Sequence, residues 1–166
     1  MNSKGTLHFF CGKMAAGKST KAAEIASEHN AILLSEDEWL KALYADEIKV
    51  FDDYLHYSAR LKPLLVELVT DMLNRGVSVV MDFPANTLNQ RNGFKALFSA
   101  NNSPHILHYL DVDDELCIHQ LKIRSAGLAE GAAFTTEAEF HLVNSYFQPP
   151  SEDEGYNMKV YRREST

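Results

Sequence analysis

The sequence predicts an α/β fold with a mainly parallel sheet covered by helices on both faces. Three observations carry this. Short β-type runs alternate with longer helical patterns, a glycine-rich turn joins the first run to the first helix, and 166 residues with 45% hydrophobic content suit one domain with a proper core. Strands are expected over residues 6–11, 31–34, 77–81, 105–111 and 157–161. The first helix opens at Lys18 and runs to about His29. Leu61, Leu65, Leu68 and Met72 recur at helical spacing before Gly76, so that stripe is the expected core face of the next long helix. Thr87 with Gln90 and Thr136 with Glu139 have capping-box spacing, which starts helices there and ends them near Ala100 and Tyr146. Asp113 and Asp114 open another helix to about Ser125, and the stretches 126–133 and 149–155 read as surface loops.

Composition narrows the function. The 16 basic and 23 acidic side chains give a formal charge of −7 with no Lys/Arg cluster, so duplex nucleic acid is not an expected partner. Cys11 and Cys117 are the only two cysteines and form neither a disulfide framework nor a metal-ligand spacing, which points to a reducing compartment. Residues 1–5 are polar, and the apolar run after them is too short for a signal peptide or a membrane span. A cytoplasmic monomer or homodimer without a membrane partner is expected. The seven histidines show no ligand spacing and read as incidental.

The decisive segment is Gly12-Lys13-Met14-Ala15-Ala16-Gly17-Lys18-Ser19-Thr20, which satisfies G-x-x-x-x-G-K-[ST] between an expected strand and an expected helix. Glycines permit the backbone angles and close approach that let successive N–H groups face phosphate oxygens at a helix N-terminus. Gly12, Lys13, Ala15, Ala16, Gly17, Lys18, Ser19 and Thr20 are therefore the expected ATP-binding set, with the side chains of Lys13, Ala15 and Ala16 serving as loop filling. Lys18 supplies charge to the β- and γ-phosphates, and the Ser19 hydroxyl is an expected Mg2+ ligand.

Two carboxylates suit phosphoryl transfer. Asp37 follows the second strand, where it can serve as general base toward an acceptor hydroxyl or as an ordinary helix cap; Ser35 reads as a cap and Glu36 as a solvated charge. Asp82 ends the apolar run Val77-Ser78-Val79-Val80-Met81, as a second magnesium-side ligand or a turn residue. Phe83 follows it, so the adjacent glutamate that activates water in ATP-driven motors is missing and transfer to an organic hydroxyl is favoured. Arg91 and Arg124 are expected over the developing phosphate charge or, alternatively, as solvated helix arginines; residues 124–136 form the expected lid. Between Glu36 and Asp53, seven acids face two lysines. With Trp39, Tyr44, Tyr54 and Tyr57 as walls this segment suits a polyhydroxylated or cationic small molecule, and it reads equally as a solvated acidic face.

On Gly12–Thr20, on Asp82-Phe83-Pro84-Ala85-Asn86 with Arg91, and on Arg124 through residues 134–140 to 146–150, the chain resembles the small P-loop kinases. These are related to gluconate kinase, chloramphenicol phosphotransferase, polynucleotide kinase and the zeta-toxin kinases, and the likeness is strongest to bacterial AAA-family ATP-binding proteins. The resemblance spans nearly the whole chain, residues 1–166, as one kinase-like domain. It implies a three-layer P-loop NTPase fold with a five-stranded sheet of order 2-3-1-4-5, Asp37 as general base and Arg124 as lid arginine. Polynucleotide kinases carry an arginine three positions after that base, where this chain has Leu40. The expected activity is transfer of the γ-phosphate of Mg-ATP to a hydroxyl of a small molecule. A nucleotide-binding regulatory module with incidental ATPase activity and a polynucleotide or nucleotide-sugar kinase are the alternatives.

Overall fold

A computed structural model describes residues 3–128, 132 and 134–164. Strands β1 (Leu7–Gly12), β2 (Ile32–Ser35), β3 (Val79–Pro84), β4 (His105–Val112) and β5 (Met158–Arg163) pair in parallel in the order β2-β3-β1-β4-β5. The helices are α1 (Lys18–Glu28), α2 (Glu36–Tyr44), α3 (Phe51–Asn74), α4 (Leu88–Ala100), α5 (Asp114–Ser125) and α6 (Glu137–Asn144). This is the three-layer P-loop NTPase architecture.

β1 lies at the centre of the sheet and every one of its residues is buried, which its apolar composition allows on both faces. Successive side chains alternate across the sheet. Leu7, Phe9 and Cys11 join Leu61, Leu65, Val69 and Leu73 of α3 and Phe94, Leu97 and Phe98 of α4. Phe10 enters the opposite cluster with Ala22 and Ile25 of α1, Cys117 and Leu121 of α5, and Phe140 of α6. No helix among the described residues is long and apolar enough to cross a membrane.

The expected stripe on α3 needs correction. Leu61 and Leu65 are buried, but Leu68 is 42% exposed and Met72 is only partly buried; Ser58, Val69 and Leu73 complete the buried face instead. That face advances in steps of four residues, each rotating it by about 40° around the helix, so Leu68 is left at its edge. The helix also begins earlier than the stripe suggests, at Phe51, where Asp53 accepts the N–H groups of Lys49 and Val50.

Helix starts follow the capping residues. Asp113 accepts from Leu116 N–H (2.9 Å), Thr87 from Gln90 N–H (3.1 Å), and Thr136 forms a reciprocal box with Glu139. The Gln90 side chain departs from the pattern by accepting from Asn86 N–H (2.8 Å). Because all strand pairs are parallel, the loops after β1, β2 and β3 open at one end of the sheet, where α/β folds place their ligand crevice.

Candidate active site

The turn from β1 to α1 is held in a demanding conformation. Gly17 has φ 101° and Ala15 has φ 62°, both in the left-handed region. Glycine adopts it freely, whereas Ala15 stores about 1–2 kcal/mol of strain. A Cβ on Gly12 would meet the Leu110 carbonyl oxygen at 3.2 Å and Lys18 Cγ at 3.4 Å, so the turn passes close to β4.

Several residues brace this turn. Gly12 N–H donates to Asn86 Oδ1 (2.9 Å), Ala16 N–H to the Lys13 carbonyl (3.1 Å), and Lys13 Nζ pairs with Asp114 (2.7 Å). With its amide oriented to satisfy both ends, Gln120 donates to the Ala15 carbonyl (2.6 Å) and accepts from the Arg163 guanidinium (3.2 Å). The first turn of α1 carries no acid, so the positive end of the helix dipole is uncompensated at the loop. Lys18, half-buried, donates to the carbonyls of Gly12 and Lys13. Burial lowers its pKa, with the Asp82 charge opposing and Arg124 adding to the fall.

Ser19 Oγ donates to Asp82 Oδ2 at 2.7 Å, which brings a hydroxyl and a carboxylate together at the mouth of the loop. Both are hard oxygen donors of the kind Mg2+ takes alongside phosphate oxygens, so the pair fits that ion. Burial holds Asp82 above the ordinary carboxylate range; the Ser19 bond and Lys18 pull it down, while Asp37 and Glu38 push it up. The register explains this reach: Asp82 is the partner of Ser35 across β2 and β3, and Ser35 caps α2 by accepting from Glu38 N–H (3.4 Å). Asp37, in the first turn of α2, lies within electrostatic reach of Asp82. It is exposed and bonded to Lys41 one turn on (2.9 Å). Thr20 is exposed beside Ser19. Arg124 is exposed in the last turn of α5, within electrostatic reach of Lys18.

Two expectations change, and a third is decided between its alternatives. Arg91, expected over the phosphates, is 0% exposed: its Nε donates to Glu154 (2.7 Å) and its Nη1 to the Ala85 carbonyl (2.9 Å), so the guanidinium is committed to the interior. Glu36, expected in solvent, is 3% exposed and accepts from Tyr54 Oη and from Ser58 Oγ (2.8 Å). Tyr44 and Tyr57 follow the solvated-face alternative, with the aromatics packed inward: they stack on each other at 4.3 Å against the core, whereas Trp39 is 39% exposed. The expected lid, residues 124–136, includes 129–131 and 133, which lie outside the described residues.

The sequence assigns no role to two residues that brace the loop. Asn86 does so from 74 residues downstream, at the end of a segment that carries the resemblance, and Gln120 from mid-α5, where nothing in its local pattern sets it apart. Two of the histidines are core residues bonded to each other. His8 Nδ1 and His108 Nε2 share a hydrogen bond (3.0 Å), and His108 Nδ1 meets Tyr161 Oη (3.0 Å). Tyr161 lines a cavity of about 530 Å3 beside the loop, together with Gly17, Thr20, Lys21, Gln120 and Arg163.

Known structures share this architecture. A candidate kinase from Chloroflexus aurantiacus superposes with a TM-score of 0.74 at 17% identity, covering 96% of this chain and 89% of that one. APS kinase CysC of Mycobacterium tuberculosis, solved with AMPPNP and APS, gives 0.63 at 17%, covering 98% and 89%. A sugar kinase from Janibacter sp. HTCC2649 gives 0.62 at 16%, covering 96% and 85%. At these identities the likeness shows the fold. No curated protein matches the chain. The family model described as AAA domain matches residues 7–150, and the protein belongs to that family.

Proposed function

We propose that this chain is a one-domain P-loop kinase that moves the γ-phosphate of Mg-ATP to a hydroxyl of a small molecule. One observation carries the reading: the loop with Lys18, the Ser19–Asp82 pair and Asp37 lie together at the carboxyl end of the sheet. Similarity to an APS kinase solved with AMPPNP and APS, and to a sugar kinase, supports it.

The loop amides between Gly12 and Thr20 that are not already bonded to Asn86 or to the Lys13 carbonyl, together with the Lys18 ammonium, hold the phosphates, and the cavity lined by Gly17, Thr20, Gln120 and Tyr161 takes the nucleoside. Ser19 and Asp82 are the residues that would hold Mg2+, which would supply charge neutralisation to the phosphates. Asp37 receives the proton of the acceptor hydroxyl as its oxygen bonds to the γ-phosphorus; the bond from that phosphorus to the β,γ-bridging oxygen breaks and ADP leaves. Arg124 faces the charge that builds on the transferred group. Arg91 is a buried strap and takes no part in transfer.

Lys18→Ala is expected to weaken AMPPNP binding by about 100-fold or more in calorimetry, since it removes the loop's charged donor. Asp37→Asn is expected to keep that affinity and to lose about 10²–10⁴-fold in transfer of labelled γ-phosphate across a pool of metabolites and antibiotics. Unchanged binding in the first variant overturns the nucleotide site, and retained transfer in the second removes the base.

A further inference from the structure

Glu36 is the one nearly fully buried acid among the described residues, and it immediately precedes Asp37. Tyr54 and Ser58, one turn apart on α3, donate to its two carboxylate oxygens. This clasp ties the first turn of α2 to α3. It also extends outward, because the Tyr54 ring meets Phe134 edge-on with centroids 5.9 Å apart and stacks on Phe51 at 5.9 Å.

Phe134 is placed with care. Its φ is 60°, a left-handed conformation that bulky residues avoid, and one carboxylate, that of Glu139, collects the N–H groups of Phe134 (2.6 Å), Thr135 (3.2 Å) and Thr136 (3.2 Å). Glu139 belongs to α6, whose Phe140 is fully buried in the same cluster as Ala16 of the phosphate loop, with Met14 and Ala15 packed against it. A contiguous path therefore runs from the phosphate loop through Phe140, Glu139, Phe134 and Tyr54 to Glu36, and ends one residue from Asp37.

We propose that Tyr54 and Glu36 are positioning residues for Asp37: the Tyr54 ring follows the Phe134 turn, which is bonded to α6, whose Phe140 shares a core cluster with Ala16 of the phosphate loop, and the Tyr54 hydroxyl passes that placement to the Glu36 carboxylate and so to the turn presenting Asp37. The proposal rests on Asp37 being the base of the kinase proposed above. It distinguishes the two donors to Glu36, since Tyr54 alone connects to the phosphate side and Ser58 serves only the clasp.

The chain supplies its own reporter. Trp39, the single tryptophan, is two residues beyond Asp37 on α2 and 39% exposed. Mg2+ with AMPPNP, titrated while Trp39 emission is followed, is expected to shift the emission of the parent chain. Tyr54→Phe and Phe134→Ala are expected to bind AMPPNP in calorimetry within about threefold of the parent and to lose the shift, because binding contacts and coupling contacts are separate. Ser58→Ala is expected to keep it. Once an acceptor is identified, Tyr54→Phe should lower kcat by about 10–100-fold with the KM for ATP unchanged, as a misplaced base does. Phe134→Ala leaves α3 intact and keeps the test available should Tyr54→Phe fold poorly. A shift retained in Tyr54→Phe, a shift lost equally in Ser58→Ala, or a parent that binds AMPPNP with Trp39 silent each overturns the positioning role alone. A parent chain that does not bind AMPPNP overturns the kinase reading and this proposal with it.

Discussion

The phosphate side of the crevice and the acceptor side are assembled on different principles. On the phosphate side, nine consecutive residues, Gly12–Thr20, carry the chemistry, and polar groups brace them, partly buried except for the fully buried Arg91: Asn86 on the Gly12 amide, Gln120 on the Ala15 carbonyl, and Arg91 with Glu154 behind Ala85. On the acceptor side, Asp37 is an exposed residue on a nine-residue helix, and its surroundings come from α2, α3 and the turn before α6. On the kinase reading proposed above, the first arrangement suits a ligand that does not change, the triphosphate. The second leaves the acceptor pocket free to vary while the loop stays fixed.

The largest expected effect tests whether buried bracing is what makes the phosphate side rigid. Arg91→Ala leaves Glu154 without its partner and the Ala85 carbonyl without its donor, which is expected to cost about 3–5 kcal/mol in urea unfolding. Arg91→Lys, which keeps the charge but not the two-pronged geometry, should recover only part of it. A loss below about 1 kcal/mol in Arg91→Ala would break the comparison, because the strap would then be idle.

A comparable or smaller effect concerns the histidines behind Tyr161, which lines the cavity beside the loop. Burial, reinforced by neighbouring histidines, lowers the pKa of His8 to about 4 and that of His108 to about 3, both from 6.5. The unfolded chain takes up protons below pH 6.5 that the folded chain refuses until near pH 4, so their contribution is complete above pH 6.5 and declines as pH falls toward 4 and 3. Glu36 and Asp82, whose pKa values burial raises, act in the opposite sense. Comparison with His8→Leu/His108→Leu isolates the pair: between pH 6.5 and pH 4.5 the parent should lose about 2 kcal/mol more than the double variant for each imidazole held neutral. Equal slopes would show that the imidazoles are not held neutral.

Legibility in the sequence follows the same division. The phosphate loop could be read because its chemistry is contiguous, and the strands because apolar runs recorded their burial. The capping residues Thr87, Asp113 and Thr136 marked helix starts because a cap is a local bond. Glu36 could not be read as buried, because its donors lie 18 and 22 residues downstream on another helix. Arg91 is matched by a carboxylate 63 residues away, and His8 by an imidazole 100 residues away. Leu68 misled for a different reason: its spacing is helical, but tertiary packing chose a stripe that rotates past it. Long-range polar pairing leaves no period in the sequence, so local features such as the loop and the caps are legible there and assembled ones such as the Glu36 clasp are not.

The smallest effect is the sharpest probe of the division. Asn86 accepts from Gly12 N–H (2.9 Å) through its side chain and from Gln148 N–H (2.7 Å) through its carbonyl, so it holds the first amide of the loop from outside the motif. Asn86→Ala removes the first bond and keeps the second. The Gly12 amide then loses its acceptor, a loss of about 1–2 kcal/mol that should appear as roughly tenfold weaker AMPPNP binding. Glu36→Gln, an equally conservative change to a buried group on the acceptor side, should leave AMPPNP affinity unchanged in the same calorimeter and act on transfer alone. If the two variants weaken binding to the same degree, the crevice is one cooperative network and the separation into a fixed phosphate cradle and a variable acceptor side is wrong. If only Asn86→Ala does, then a residue beyond the nine-residue motif belongs functionally to it, and the motif's effective boundary is set by hydrogen bonding instead of by sequence contiguity.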